Sequence, residues 1–411
     1  MRKIFSSIIV LSFIGQLLMP AGFVFAQSQN NQSLDQYLSY FYNRYSRNFD
    51  EHGLVFKDPG YDVPDFRAPR SAREIISLAL YYKYRALDSD KLAQAKIKQA
   101  VLDADKSLSS RPAYTQSFED AIVQLGMINL INDFPLLFSA KEKDPIFQVI
   151  ADRAEAGLLA GDTSNRAALS AAYWQAILNF LYSDNIISHD RYDQLSDLAC
   201  KKIQSVAATD ITPDGWYLED TPKKFDPHYH MVSALAFLAY GELSGRQYFI
   251  DLSQKMTVNL RSLSFSNGMV EAKIGNRPVG LGAQFYLVLG LLSYRFGFKD
   301  ANVYFTYASG NRFFSDPQFP DRLEYHSTIS KTAPDYHDDI AFSNMGELAL
   351  LVPGLQQIKI NNNYGGKLTI PRLNKTANYF VTNEGNIIYF GKMIVKQAAD
   401  KNHTQIFFSN K

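Results

Sequence analysis

Six times along this chain a polar loop is followed by a helix that is apolar almost all the way round. Five of the loops centre near Gly53, Arg111, Gly161, Gly215 and Gly268, which sets a period of about 50–58 residues. The helices they open read at Arg70–Leu87, Thr115–Ile131, Asn165–Tyr182, His228–Leu243 and Gly282–Phe296, with a shorter sixth at Asp338–Val352. Three intervening stretches, Asp88–Leu108, His189–Val206 and Arg246–Leu263, carry apolar residues on one face and charges on the other. A helix apolar on every side has to be buried, whereas a one-faced helix lies on a surface. Alternation of the two kinds predicts helical hairpins stacked side by side, buried helices inside and amphipathic helices outside. Five or six such hairpins, closed into a ring, make an α/α toroid.

The ends of the chain read differently. Arg2 and Lys3 precede an apolar run from Ile4 to Leu18, Pro20 breaks it, and Val24-Phe25-Ala26 suits a signal-peptidase site. Residues 1–26 are therefore expected to be a signal peptide cut after Ala26, leading to secretion or to a periplasmic or cell-envelope location. No stable membrane insertion is expected after cleavage. Residues 27–33, rich in Gln, Asn and Ser, read as a disordered tether, and 34–355 as the toroid domain. From 356 to 411 the period changes. Gln357–Ile360, Lys367–Ile370, Ala377–Thr382, Asn386–Val395 and Thr404–Phe408 are short, β-branched or aromatic, and separated by Asn- and Gly-rich turns. A small antiparallel β module is expected there.

Composition narrows the function classes. A net charge of +1 lacks the basic excess of a nucleic-acid binder. The single cysteine, Cys200, has no intramolecular partner for a disulfide and reads as a small core hydrophobe. The chain contains no dinucleotide-binding glycine motif, P-loop, nucleophile elbow or zinc-protease motif. What it does contain is 25 Tyr and 29 Phe, mostly core by expectation, with rim tyrosines suited to stacking on sugar rings.

In a toroid of this kind the inner helices run parallel, so all their N-termini open on one end. Free N–H groups and the positive end of each helix dipole make that end a cleft for an anionic chain. The densest set of chemically able residues falls there. Asp214-Gly215-Trp216-Tyr217-Leu218-Glu219-Asp220 is followed by Phe225-Asp226-Pro227-His228-Tyr229-His230. Asp226 reads as a helix cap with Pro227 in the first turn. Tyr229, His230 and His228 are the candidate acid–base residues. Trp216, Tyr217, Asp220 and Asp226 are candidates for holding substrate. Pro334-Asp335-Tyr336-His337-Asp338-Asp339 echoes this pattern before a later helix, which adds His337 and Asp338. Arg70 and Arg277 are candidates for gripping a carboxylate, alongside Arg67, Arg73 and Arg166 on other rim loops. Glu74, Glu119 and Asp120 point to the same mouth. No cofactor is expected. The nearest approach to a metal site is His228 and His230 with Asp220 or Asp226, spaced for a loop-held divalent ion.

An Asp-Gly-aromatic segment, an acidic loop and then a Tyr/His-bearing apolar helix, here Asp214–Tyr217 followed by Tyr229-His230, resembles the helical domains of polysaccharide lyases acting on hyaluronate, chondroitin or alginate. The resemblance implies β-elimination on a uronic-acid-containing glycan. Arg or Asn would neutralise the carboxylate, His or Tyr would take the C5 proton, and Tyr would protonate the leaving oxygen. Where the family has a His close behind the Asp-Gly segment, this chain has Asp220. A glycoside hydrolase is the alternative, needing two carboxylates at a set separation from among Asp220, Asp226, Asp338 and Glu74. A non-catalytic glycan-binding or envelope-assembly protein is the third reading.

Overall fold

The computed structural model describes residues 91–304, apart from 111, 114–117, 219–224, 265–267, 269, 271–282, 300 and 302, and four strands between 379 and 409. Among these residues the chain is mainly helical. The eight helices are α1 (Lys91–Ser109), α2 (Phe118–Asp133), α3 (Ala140–Leu159), α4 (Ser164–Ser183), α5 (His189–Asp210), α6 (Pro227–Ser244), α7 (Gln247–Ser262) and α8 (Ala283–Arg295).

They form two layers. In the inner layer α2 packs beside α4, α4 beside α6 and α6 beside α8, while α1, α3, α5 and α7 lie outside. The sequence explains the division. On α5 the buried residues Leu195, Ala199, Cys200, Ile203 and Val206 recur on one face. On α7 the buried set Phe249, Ser253, Met256 and Leu260 does the same. By contrast α4 buries Ala167, Tyr173, Trp174, Ile177 and Leu181 in every direction, and α6 likewise buries Met231, Leu235, Phe237 and Tyr240. Phe237 stacks on Phe249 at 5.9 Å, and Tyr240 meets Phe249 edge-on at 5.1 Å, so aromatic contacts join the two layers. Cys200 is buried as expected, on the inward face of α5.

Helix α3 was not singled out by the spacing argument. Its first turns carry Lys141, Glu142, Lys143, Asp144 and then Pro145. Its start is fixed by Glu142, whose carboxylate accepts from the Ser139 amide (2.8 Å) and hydroxyl (2.8 Å). Lys98 of α1 pairs with the same Glu142 at 2.7 Å.

The inner helices run parallel. At one end the Asn165 amide, in the first turn of α4, donates to the Tyr217 hydroxyl just ahead of α6 (2.8 Å). At the other end the Asn179 side chain of α4 donates to the Leu243 carbonyl near the end of α6 (3.0 Å). Connections at that second end are short, as in Gly245-Arg246 between α6 and α7, where Gly245 takes the left-handed conformation (φ 68°) that closes a helix. The longer connections all lie at the N-terminal end of the inner helices. The described helices thus form three consecutive hairpins, α2–α3, α4–α5 and α6–α7, flanked by α1 and α8. The expected helices Arg70–Leu87 and Asp338–Val352, and with them the closure of a ring, lie outside the described residues.

Toward the C-terminus β1 (Tyr379–Val381) pairs antiparallel with β2 (Ile387–Tyr389), with Tyr379 opposite Tyr389. In the same sense β3 (Lys392–Gln397) pairs with β4 (Thr404–Ser409), with Ile394 opposite Phe407. The expected strands Gln357–Ile360 and Lys367–Ile370 are outside the described residues, as is the signal segment. No helix among the described residues is long and apolar enough to cross a membrane.

Candidate functional site

The N-terminal ends of α2, α4 and α6 meet at one mouth, and the Asp210–Leu218 turn is built into it. Gly215, at φ 80°, reverses the chain. Ile211 and Tyr217 then form an antiparallel bridge, with the Thr212 amide donating to the Trp216 carbonyl (2.9 Å) and the Leu218 amide to the Asp210 carbonyl (2.8 Å). Helix α7 holds the outside of this turn. Asn259 donates to the Asp214 carbonyl (2.8 Å), and the Lys255 ammonium donates to the Pro213 carbonyl.

The first turn of α6 follows the sequence expectation for its cap. The Asp226 carboxylate accepts from the amides of His228 (2.8 Å) and Tyr229 (3.1 Å), and Pro227 occupies the first helical position. Asp226 is buried, so the residue offered as a substrate contact serves the helix end instead.

Three further candidates are corrected by their surroundings. His230 is completely buried. Its Nδ1 accepts the Tyr217 amide at 3.1 Å, and its Nε2 lies 3.0 Å from the Met256 carbonyl. An Nδ1 that accepts and an Nε2 that donates define a neutral imidazole of one tautomer. Burial pushes its pKa down to about 4, against a smaller opposing effect of the Met256 carbonyl. A ring with both nitrogens committed to backbone can neither shuttle a substrate proton nor bind a metal. Trp216, a candidate for holding substrate, is also buried, edge-on to Phe225 (5.2 Å) and tilted against His230 (5.6 Å). Tyr217 is buried with its hydroxyl spent on the start of α4. The indole and the phenol were candidates for holding substrate because their segment leads into an inner helix at the mouth. The turn folds inward because its aromatics find the gap between inner helices.

His228 and Tyr229 remain half-buried at the mouth, their rings edge-on at 5.6 Å. Arg70, Glu74, Asp220, Arg277, His337 and Asp338 lie outside the described residues.

The structure adds a carboxyl that the sequence argument passed over. Asp162, in the loop before α4, accepts a backbone hydrogen bond from Phe118 at the start of α2. Burial raises its pKa. Lys202, Arg166 and the Phe118 amide oppose the shift, and Glu119 adds to it. Glu119 and the fully buried Asp120 follow in the first turn of α2. Arg166, exposed on α4, lies over the Phe118 ring at 5.7 Å. Lys202 reaches in from α5 and donates to the carbonyls of Leu158 (3.1 Å) and Ala160 (2.8 Å), which holds the loop that carries Asp162. The available signal was Gly161-Asp162-Thr163-Ser164 directly before an apolar helix, the same loop-then-helix pattern as at Asp226.

No family model matches this chain, and no curated protein sequence does. Solved structures do. The Lin0763 protein from Listeria innocua is similar over 79% of this chain and 99% of its own, at 13% identity and a TM-score of 0.50. An unsaturated glucuronyl hydrolase specific for heparin is similar over 80% of this chain and 100% of its own, at 11% identity and a TM-score of 0.50. An α-1,6-mannanase, GH76A of Salegentibacter sp. HEL1_6, aligns over 79% and 100% at 12% identity and a TM-score of 0.48. At such identities what is shared is the fold, and it extends over about four fifths of this chain.

Proposed function

We propose that this protein is an exported carbohydrate-active enzyme that binds a glycan across the mouth formed by α2, α4 and α6. The observation that carries the reading is the placement of two carboxyls side by side at the mouth. Asp162 is driven toward its protonated form by burial, and Glu119 stands beside it in the first turn of the adjacent inner helix. Glycosidic hydrolysis needs two carboxyls, one to protonate the leaving oxygen and one to serve as base or nucleophile, and a raised pKa suits Asp162 to the first role. Arg166 and the helix N-termini supply positive potential for an anionic sugar. The shared fold with a glucuronyl hydrolase agrees with a uronic-acid substrate.

Elimination is the second reading, favoured by the half-buried His228–Tyr229 pair at the same mouth. Tyr229 would then act on the proton and the leaving oxygen, with no part for His230. The full chain, incubated with a panel of uronic-acid polymers and oligosaccharides, separates the two. Hydrolysis yields new reducing ends without an ultraviolet-absorbing unsaturated sugar, and Asp162→Asn lowers the rate by about 10²–10⁴-fold. An unsaturated product, with loss of turnover in Tyr229→Phe rather than Asp162→Asn, selects the lyase. Binding without cleavage across the panel selects a glycan-binding protein. Export is tested separately, by sequencing the N-terminus of extracytoplasmic protein, with Gln27 as the expected first residue.

A further inference from the structure

The turn that His230 holds has a counterpart one hairpin on. Ser264 and Val270 form the same isolated antiparallel bridge as Ile211 and Tyr217. Gly268 (φ 90°) stands where Gly215 (φ 80°) does. In both turns the amide of the second bridge residue is accepted by a side chain from the fourth residue of the inner helix that follows. In the later turn the Val270 amide donates to the Tyr286 hydroxyl (3.3 Å). In the earlier turn the Tyr217 amide donates to His230 Nδ1 (3.1 Å). The fold thus builds one socket twice. It fills one copy with a phenol, which cannot gain a proton in mild acid, and the other with an imidazole, which can.

We propose that His230 is an acid-released latch: neutral, it holds the Asp210–Leu218 turn in the mouth through the Tyr217 amide, and protonated, it lets that turn go. A proton on Nδ1 converts the acceptor into a donor facing another donor, the Tyr217 N–H, so the bond is replaced by repulsion. It also places a charge among the Trp216 and Phe225 rings, 5.6 and 5.5 Å away, with no solvent access. The charged and titratable groups on the surrounding elements include Asp210, Asp214 and Tyr217 on the turn, Asp226 capping α6, and His228, Tyr229, Tyr240 and Glu242 on α6. Lys255 and Arg261 lie on α7, Arg166 on α4 and Arg295 on α8. The titration of His230 is set by its burial and by the Met256 carbonyl. The consequence reaches the neighbouring hairpin, because the hydroxyl of the same Tyr217 caps the first turn of α4.

The sign follows from a pKa near 4 in the fold and an ordinary value of 6.5 in the unfolded chain. The stabilisation is complete above 6.5, declines as pH falls below it, and is gone once pH has passed through 4. The inference deepens the reading of the mouth as a site, but its readouts are spectroscopic, so a failed glycan assay leaves it standing.

Trp216 is the reporter. In a Trp174→Phe background it is the remaining tryptophan of the full chain, and it lies against the imidazole. Acid titration is expected to give a reversible red shift of its emission centred near pH 4, with far-ultraviolet helicity retained. His230→Tyr, the residue used in the sister socket, is expected to abolish that transition. An identical transition in His230→Tyr, or a flat emission until global acid unfolding, overturns the proposal. Ring ¹⁵N spectra of the wild-type chain provide a measurement that needs no variant. A neutral Nε2–H tautomer persisting to about pH 4 supports the latch, and titration of His230 near 6.5 overturns it.

Discussion

Two titratable residues at the mouth, the fully buried His230 and the half-buried Asp162, carry opposite consequences. His230 loses its affinity for protons because burial penalises the charged ring, and the Met256 carbonyl opposes this only in part. Asp162 holds its proton more tightly because burial removes water from a carboxylate whose cationic neighbours only partly compensate. An acid whose pKa is higher in the fold than in the unfolded chain stabilises the fold below its unfolded value, and that contribution is lost as pH rises through the raised value. Asp162→Asn keeps the shape and removes the charge. It is therefore expected to raise the melting temperature at neutral pH while lowering turnover, and the gain should shrink as the pH is brought down toward 4. Thermal unfolding at two pH values, beside the glycan assay, checks both halves. A variant less stable at neutral pH would mean that the carboxylate serves structure rather than chemistry. Asp162 was not legible in the sequence as a site residue, because its burial and its neighbours Phe118 and Lys202 come from α2 and α5, which are distant in the chain. Asp226 was legible as a cap, since capping is decided within a few residues of chain.

Between elements, packing turns on single small residues. In α3 Gly157 lies flat against the indole of Trp174 in α4, and a Cβ there would fall within 2.6 Å of the indole nitrogen. The ring is fully buried and has nowhere to retreat. Gly157→Ala is thus expected to destabilise the protein by about 1–3 kcal/mol through overpacking, despite the better helix propensity of alanine. Gly161→Ala serves as the control, with no atom within 4 Å of the added carbon. Denaturant unfolding of the two variants gives the comparison, and equal midpoints would show that α3 can shift to make room. The periodicity anticipated α1, α2 and α4 to α8, because burial on one face or on all faces is written into the spacing of apolar residues. Helix α3 escaped notice because its charged first turns and Pro145 mask an apolar face that begins only at Ile146.

For the whole molecule, the two-layer packing places Cys200 between outer and inner helices, against the Tyr240 hydroxyl. Burial and the adjacent thiol hold that hydroxyl well above the ordinary tyrosine range. A thiol reagent is expected to label Cys200 only as fast as the helical layers open, so labelling should be negligible in buffer and complete in denaturant. Rapid labelling of the folded chain would contradict the packing of α5 on the inner layer. By itself the sequence determined the helical hairpins, which helices lie inside, the cap at Asp226 and the end of the layers where long loops collect. All of these follow from local spacing and from the cost of leaving apolar faces in water. Only the tertiary structure decided which of the polar residues at that end remain available for chemistry. Trp216, Tyr217 and His230 look like rim residues one at a time, and they are turned inward because the glycine-reversed turn seats Tyr217 between the inner helices α4 and α6. Asp162 and Glu119, far from that cluster in sequence, come together because parallel inner helices bring their first turns side by side. Solvent exposure and pairing belong to the assembled layers, and no window along the chain contains them.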